Sequence, residues 1–504
     1  MLIILITIGI MALILMASKL KYFLHMIQLE GYDSEAFQRW INNNKEKAFS
    51  IKHSNKETKK PLVFTNRAKR LYWTNIILNG ILVFLFVFKS NRFLGISPSF
   101  TILSIIILIV LLGILYYLQA FIMLMSNNLI SPMERKINMG FYEQAQEKIK
   151  SRKDLNVVGI TGSFGKTSTK FILGAILGEK FNVLNTPESY NTPMGLSKVI
   201  NNDLTEKHNV FIAELGARNI GDIKEVAELV GPKIGVLTSI GPTHIETFKN
   251  IDNIMKTKYE LIEELPSDGT AVFNYDNEYI RKLADKTFKE KILYGIEDIE
   301  ELDLYAEDIE VSELGSTFTV KDKEGNSIRC TTKLLGKHNI YNVLAGVAVG
   351  KILGLSFDEI KDGIRKIEPI PHRLNIINPG TGIIIIDDAF NSNPIGAKAA
   401  LEVLSQFKEG RKIIVTPGMV ELGTMEEVAN REFGTNIGKV CDYVILMGES
   451  RTRPIFEGLM EVSYSKDNIF TVNTLDEATE YIQKIARPGD IVLFENDLPD
   501  NYSK

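Results

Sequence analysis

The stretch Asn156 to Lys170 reads Asn-Val-Val-Gly-Ile-Thr-Gly-Ser-Phe-Gly-Lys-Thr-Ser-Thr-Lys, an apolar run that breaks into glycines, a lysine and hydroxyls before the apolar Phe171 to Leu177. Those residue types at that spacing suit the binding of a nucleotide's phosphates. Glycines at 162 and 165, with Ser163 and Ser168 beside them, let backbone N–H groups turn inward around phosphate oxygens. Lys166 can reach the terminal phosphates of ATP, Thr167 can hold Mg²⁺, and the following helix presents its positive end to the anion. The strict pattern G-x-x-x-x-G-K-[ST] would place glycine where Ile160 stands, so this loop is a compact variant.

Two further groups could complete a metal and phosphate site. Val210 to Ala213 leads into Glu214, a carboxylate able to bind Mg²⁺ as the Walker-B acid does. Ile234 to Thr238 leads into a loop carrying His244. Apolar strands that each end in a polar residue imply a doubly wound parallel α/β sheet, in which ligands collect at the strands' carboxyl ends.

The chain has 504 residues, enough for about three domains. Its net charge of -4 excludes the basic excess that a nucleic-acid binder needs. Cys330 and Cys441 lie far apart and form neither a disulfide framework nor a metal pair.

Apolarity is concentrated at the front. Segments 2–18, 71–88 and 99–125 contain no Asp, Glu, Lys or Arg, and each approaches the length that crosses a bilayer as a helix. Lys19, Lys21, Arg39, Lys45, Lys47 and further basic residues up to Arg70 mark the intervening loop as cytoplasmic, with the N-terminus outside and the phosphate loop inside. Asn75 and Asn79, one turn apart in the second span, suit an interhelical hydrogen bond. A charged helical connector follows over 131–153, which sets a membrane region at 1–130.

Residues between about 270 and 335 read as hairpins decorating the sheet. From Pro379 onward, strands at 383–386, 412–415, 443–447, 469–472 and 490–494 alternate with helices, as in a Rossmann-like α/β domain. The expected boundaries are 154–378 for the ATP-binding domain and 379–504 for the last one.

Thr161 to Thr169, Glu214-Leu215-Gly216, His244 with Glu246 and Phe248, Lys258-Tyr259-Glu260, Gly336 to Asn342, Pro371-His372-Arg373 and Asp387 to Pro394 occur in the order seen in Mur ligases. The chain therefore resembles that family over roughly residues 150 to 495, and most of all its branch that adds D-alanyl-D-alanine to a UDP-muramoyl tripeptide. The resemblance implies an ATP-dependent amide ligase of peptidoglycan synthesis that works through an acyl phosphate. It implies Lys166 and Arg373 on the transferring phosphate, and Thr167, Glu214 and His244 on Mg²⁺. It implies a carbamylated Lys258 as a further metal ligand, Asn339 and Asn342 around adenine, and Asp388 on the ribose. With the same origin, Thr186, Ser189, Asn191 and Arg218 would hold the carboxyl substrate, and the loop around Met419 and Glu421 would seat the amine, an amino acid or dipeptide.

Two departures bear on the substrate. Membrane spans stand where the family has a UDP-binding domain. After the last strand, the family's Lys-Gly-Ser-Arg is replaced by Glu495-Asn496-Asp497-Leu498. The expected acceptor is thus a cell-wall precursor that is lipid-linked at the bilayer. The rival readings are a membrane-coupled nucleotidase or transport component, a ligase for a substrate outside peptidoglycan, and a catalytically weakened scaffold. Three spans without internal charge make a poor conduction path.

Overall fold

Alternate residues of the segment after Asn156 face opposite ways, Val157 into one apolar core and Val158 and Ile160 into another, so this strand must be covered on both faces. The computed structural model, which describes residues 2–50, 61–91, 97–187, 190–243, 245–312, 314–390, 392–420 and 422–497, shows how. Its chain divides into two units, one up to Gly140 and the other from Phe141.

The second unit holds two sheets. The first is built from β1 (Asn156–Thr161), β2 (Val183–Asn185), β3 (Val210–Glu214), β4 (Ile234–Leu237), β5 (Thr270–Asn274), β6 (Glu290–Gly295), β7 (Leu304–Ser312), β8 (Gly315–Asp322) and β9 (Ser327–Thr332). Their order is β2-β3-β1-β4-β5-β6-β7-β8-β9, parallel as far as β7 and antiparallel beyond it. Helices Pro193–Asn202, Asp222–Val230 and Ile251–Glu263 contribute to the core on one face. Helices Lys166–Leu177, Lys337–Ile352 and Phe357–Arg365 contribute to the other.

The hairpin reading holds for 304–332 but not for the start of its range. β5 and β6 extend the parallel sheet, with helix Glu278–Asp285 between them. All five residues of β5 are buried, so the alternation that marks a half-exposed hairpin strand is missing there.

The second sheet contains β10 (Asn375–Ile377), β11 (Ile384–Asp388), β12 (Lys412–Thr416), β13 (Tyr443–Met447), β14 (Ile469–Val472) and β15 (Ile491–Glu495). Its order is β10-β11-β15-β12-β13-β14, parallel except for β10. Inserting the last strand beside β11 and β12 makes Asp388, Thr416 and Glu495 neighbours at the strands' carboxyl ends.

In the first unit, helices Leu2–Leu29, Asn66–Asn91 and Ser99–Tyr117 are long and apolar enough to cross a membrane. The third is shorter than the charge-free run 99–125. It ends at Tyr117, and a new helix starts at Gln119, whose side-chain Nε2 donates to the Leu115 carbonyl at 3.0 Å. A side chain bonding into the ladder breaks a helix where hydropathy registers nothing. The new helix continues to Ser151, so the connector starts inside the apolar run and passes through Pro132. Asn79 and Gln119 bond each other across helices, Nε2 to Oδ1 at 2.8 Å.

Candidate active site

Pairing of β1 with β3 sets Ile160 opposite Glu214, and pairing with β4 sets Thr161 opposite Leu237, so the glycine loop leaves the sheet between two strand ends. Two positions there admit glycine alone. Gly162 has φ +157°, and a Cβ on it would lie 2.2 Å from Thr238 Oγ1; Gly165 has φ +80°, with Asn342 Oδ1 2.7 Å from the corresponding point. Gly162→Ala is therefore expected to strain the loop by about 1–3 kcal/mol. Calorimetry with ATP should show the loss as weakened binding, and unchanged affinity would disprove it.

Lys166 opens helix Lys166–Leu177, and its Nζ donates to the carbonyls of Gly162 at 2.7 Å and Ser163 at 3.2 Å. The loop thus holds the ammonium over itself. Burial pulls this ammonium below the usual lysine range, with the Arg373 guanidinium acting the same way and Glu214 opposing. Ser163 Oγ donates to the Gly241 carbonyl and accepts from Gly241 N–H, tying the loop to the end of β4. Ser168 is buried in the first turn of the helix.

Glu214, 1% exposed, is the hub. Its carboxylate accepts from Thr167 Oγ1 at 3.1 and 3.2 Å, from Asn191 Nδ2 at 3.2 Å and from Lys170 Nζ at 3.1 Å. Thr186 Oγ1 accepts from Glu214 N–H, supporting the carboxylate through its backbone. Lys170 is missing from the sequence reading although it lies one turn beyond Lys166. That i, i+4 spacing puts both on one helix face and was the available signal.

Lys258, on helix Ile251–Glu263, is 3% exposed. Its amine is pulled down to about 7, first by burial and then by the Lys166 ammonium, against Asp222, Glu260 and Glu214. Glu260 is engaged by the N–H groups of Gly221 and Lys224.

From the other side of the glycine loop, Thr169 Oγ1 donates to Asn342 Oδ1 at 3.1 Å, and Asn342 Nδ2 donates to Asn339 Oδ1 at 3.1 Å. Both asparagines are buried in helix Lys337–Ile352. Arg373 packs its guanidinium 4.4 Å from the Phe390 ring centre and lies within electrostatic reach of Asp388, Glu214 and Lys166. It sits between two residues held in the left-handed region, His372 at φ +59° and Leu374 at φ +48°. Such backbone is costly and persists where the surroundings over-determine it. His372 Nδ1 meets Asp387 Oδ2 at 2.8 Å, and Leu374 N–H donates to Asp388 Oδ1 at 3.2 Å. Burial raises the Asp388 carboxyl to about 6, opposed by Arg373.

The altered end of β15 is an internal structure. Glu495 is buried and accepts from the Ser392 and Thr416 hydroxyls. Burial, against the Ser392 hydroxyl, pushes it up to about 8. Asn496 takes φ +67°, accepts from Ser392 N–H and donates to the Gly418 carbonyl.

The strand ends thus bring together Lys166, Thr167, Glu214, Asn191, Thr186, Lys258 and Arg373. They do not gather Arg218, which is exposed and bonds Asp222 through its backbone N–H. His244, Ser189 and Glu421 lie outside the described residues. Among the described residues no three His, Cys, Asp or Glu side chains cluster as a metal site. A hydroxyl and a carboxylate side by side nevertheless suit a hard cation that keeps waters and binds phosphates, which is the habit of Mg²⁺.

Comparison with known proteins gives this geometry a context. Residues 160–350 match the Mur ligase middle domain, and residues 372–495 match the Mur ligase glutamate ligase domain. The chain is 29% identical over 341 residues to the UDP-N-acetylmuramoyl-tripeptide--D-alanyl-D-alanine ligase of Bacillus subtilis, covering 67% of this chain and 72% of that protein. It is 31% identical over 278 residues to the enzyme of the same name from Escherichia coli, covering 55% of this chain and 61% of that one. Among solved structures, MurF from Thermotoga maritima in complex with ADP superposes with TM-score 0.64 at 26% identity, over 71% of this chain and 80% of that chain. MurF from Acinetobacter baumannii shares the fold, with TM-score 0.65 at 24% identity over 72% of this chain and 78% of its own.

Proposed function

This chain belongs to the Mur ligase family and is an ATP-dependent ligase, and from that premise we propose that it joins D-alanyl-D-alanine, or a similar dipeptide or amino acid, to the peptide carboxyl of a membrane-held muramoyl precursor. The observation that carries the reading is the convergence of Lys166, Glu214, Lys258 and Arg373 in a chain that also holds three helices apolar enough to cross a membrane. Ile3, Ile14, Ile77, Phe84, Ile102 and Ile109 are each more than half exposed on those helices, which supports burial in a bilayer. The ligase part would then lie on the cytoplasmic side, where ATP is found.

A carboxylate oxygen of the precursor attacks the γ-phosphorus of ATP, the bond from that phosphorus to the β,γ-bridging oxygen breaks, and ADP leaves with the electron pair. Lys166 and Arg373 balance the charge spread over the transferring group. The dipeptide nitrogen then attacks the acyl carbon, phosphate departs, and the nitrogen loses its proton to give the amide. Asn339 and Asn342 border the adenine and Asp388 the ribose. Thr186 and Asn191 brace Glu214 as well as lining the acceptor side. Thr167, Glu214, His244 and Lys258 as its carbamate would hold Mg²⁺, which supplies charge neutralisation at the phosphates when bound.

The test is ADP release by the full chain in bilayers, with D-alanyl-D-alanine and either UDP-linked or polyprenyl-linked muramoyl tripeptide. Turnover should depend on the dipeptide and favour the lipid-linked acceptor. Equal use of the soluble acceptor would reject the lipid-linked assignment, and ADP release indifferent to any amine would reject the ligase reading in favour of a nucleotidase.

A further inference from the structure

Among the described residues of the first unit three buried side-chain donors have no acceptor, Lys19 Nζ, Asn75 Nδ2 and Arg67 Nε, the last of these on a guanidinium that lies over the Tyr32 ring. Lys19 is 2% exposed and Asn75 fully buried, and neither Lys19 Nζ nor Asn75 Nδ2 has a hydrogen-bond partner among the described residues. The Lys19 ammonium faces the rings of Tyr116 at 4.0 Å and Tyr117 at 5.3 Å. Gly9 packs against Val83 and Val87, and at the other end of the same helix Gln28 Nε2 donates to the Val63 carbonyl, so helices Leu2–Leu29 and Asn66–Asn91 run antiparallel. Ten residues further along the first helix, that register falls ten residues back on the second, at 73–77, so Lys19 stands level with Asn75.

The neighbouring amides are satisfied. Asn79 donates to Asn75 Oδ1 and to Gln119 Oε1, and Gln119 donates to Asn79 Oδ1. Asn75 therefore lacks an acceptor, and Lys19 lacks an acceptor that carries negative charge. Helices Leu2–Leu29, Asn66–Asn91 and Pro98–Tyr117 contain no Asp or Glu that could provide it. Glu134 of the same unit is already held by Arg70, with Nη2 to Oε2 at 2.8 Å. Burying an ammonium without a counter-charge is strongly unfavourable, and ring faces offset only part of that.

We propose that Lys19 and Asn75 form a site for the phosphate of an anionic lipid headgroup. A phosphate has several acceptor oxygens and no need to donate, which matches two orphan N–H groups. The surroundings argue for a lipid as its carrier. Lys19 ends the charge-free stretch of its helix, Lys21 and Tyr22 follow it, and Tyr72 and Trp73 precede Asn75 on the partner helix. Aromatic and basic residues at that level mark the boundary between hydrocarbon and headgroups. The proposal rests on the membrane reading given above. It adds a lipid contact that lies within the first unit, apart from the ligase residues.

The full chain, purified in mild detergent from bilayers of phosphatidylcholine with phosphatidylglycerol or with a polyprenyl phosphate, would be weighed by native mass spectrometry. Wild type and Lys19→Arg should retain one anionic lipid per chain. Lys19→Gln should retain at least tenfold less, and Asn75→Leu an intermediate amount. Equal retention by Lys19→Gln, or equal retention of phosphatidylcholine, overturns the site. Displacement by millimolar inorganic phosphate reassigns it to a soluble anion and overturns the lipid source. Carbonate extraction of the starting membranes separates the two failures: release of the chain would refute membrane insertion itself.

Discussion

Lys166→Ala should lower ADP release by about 10²–10³-fold, the loss found when a preorganised charge or donor is removed from a developing anion. The lysine begins the helix after the glycine loop, and its ammonium already lies among phosphate-facing groups, held by the Gly162 and Ser163 carbonyls. Removing it vacates space beside the part-buried Gly162 and Ser163 carbonyls, which water can enter and bond. The melting temperature should therefore move little while turnover collapses. Lys166→Arg should not restore the rate, because a planar guanidinium does not replace a compact point charge. Rapid-quench measurement of ADP formation reads the effect, and a loss below tenfold would remove Lys166 from the phosphate site.

Lys258 has the second largest expected effect, and its sign with pH follows from its environment. Burial and the Lys166 ammonium bring its amine down to about 7. About half of it is then neutral at pH 7, against roughly one part in 2,500 for an ordinary lysine at about 10.4. Only the neutral amine attacks CO₂, forming a carbamate and releasing a proton. Activity should accordingly rise between pH 6 and 8 in bicarbonate buffer and fall when CO₂ is stripped. Lys258→Arg, which cannot form the carbamate, should lose about 10²-fold or more in kcat. A ¹³C carbamate signal from labelled bicarbonate should appear in wild type and vanish in Lys258→Ala. Full activity of Lys258→Arg would end the carbamate assignment. The same group affects stability in one direction. Unfolded lysine binds its proton more tightly than the folded amine, so stability rises with pH from about 7 towards 10 and is flat below.

The phosphate loop was legible because its chemistry is local: Gly162, Gly165, Lys166 and Thr167 are set by spacing along one strand-to-helix turn. Lys170 was not, since its importance depends on β1 pairing with β3, which brings Glu214 to within 3.1 Å of a lysine 44 residues earlier. Asn191 and Thr186 were placed with the carboxyl substrate, and their bonds to Glu214 could not be read without the pairing of β2 with β3. Hydropathy marked all three apolar helices yet ran the third past Tyr117, because a glutamine side chain bonding a carbonyl leaves no trace in composition. At β5 the failure was of pattern: a fully buried strand between helices loses the period-two signature that separates it from loop-bound hairpins.

The company that Glu214 keeps has a consequence for how the enzyme fails. Its carboxylate is neutralised by Lys170 and bonded by Thr167 and Asn191 using the protein's own atoms, so stripping divalent ions leaves no bare charge in the interior. Chelators should stop turnover without loosening the molecule, and a scan in EDTA should trace the same unfolding curve as one in buffer. In this chain the metal would be a reagent of the reaction, with no part in holding the architecture up.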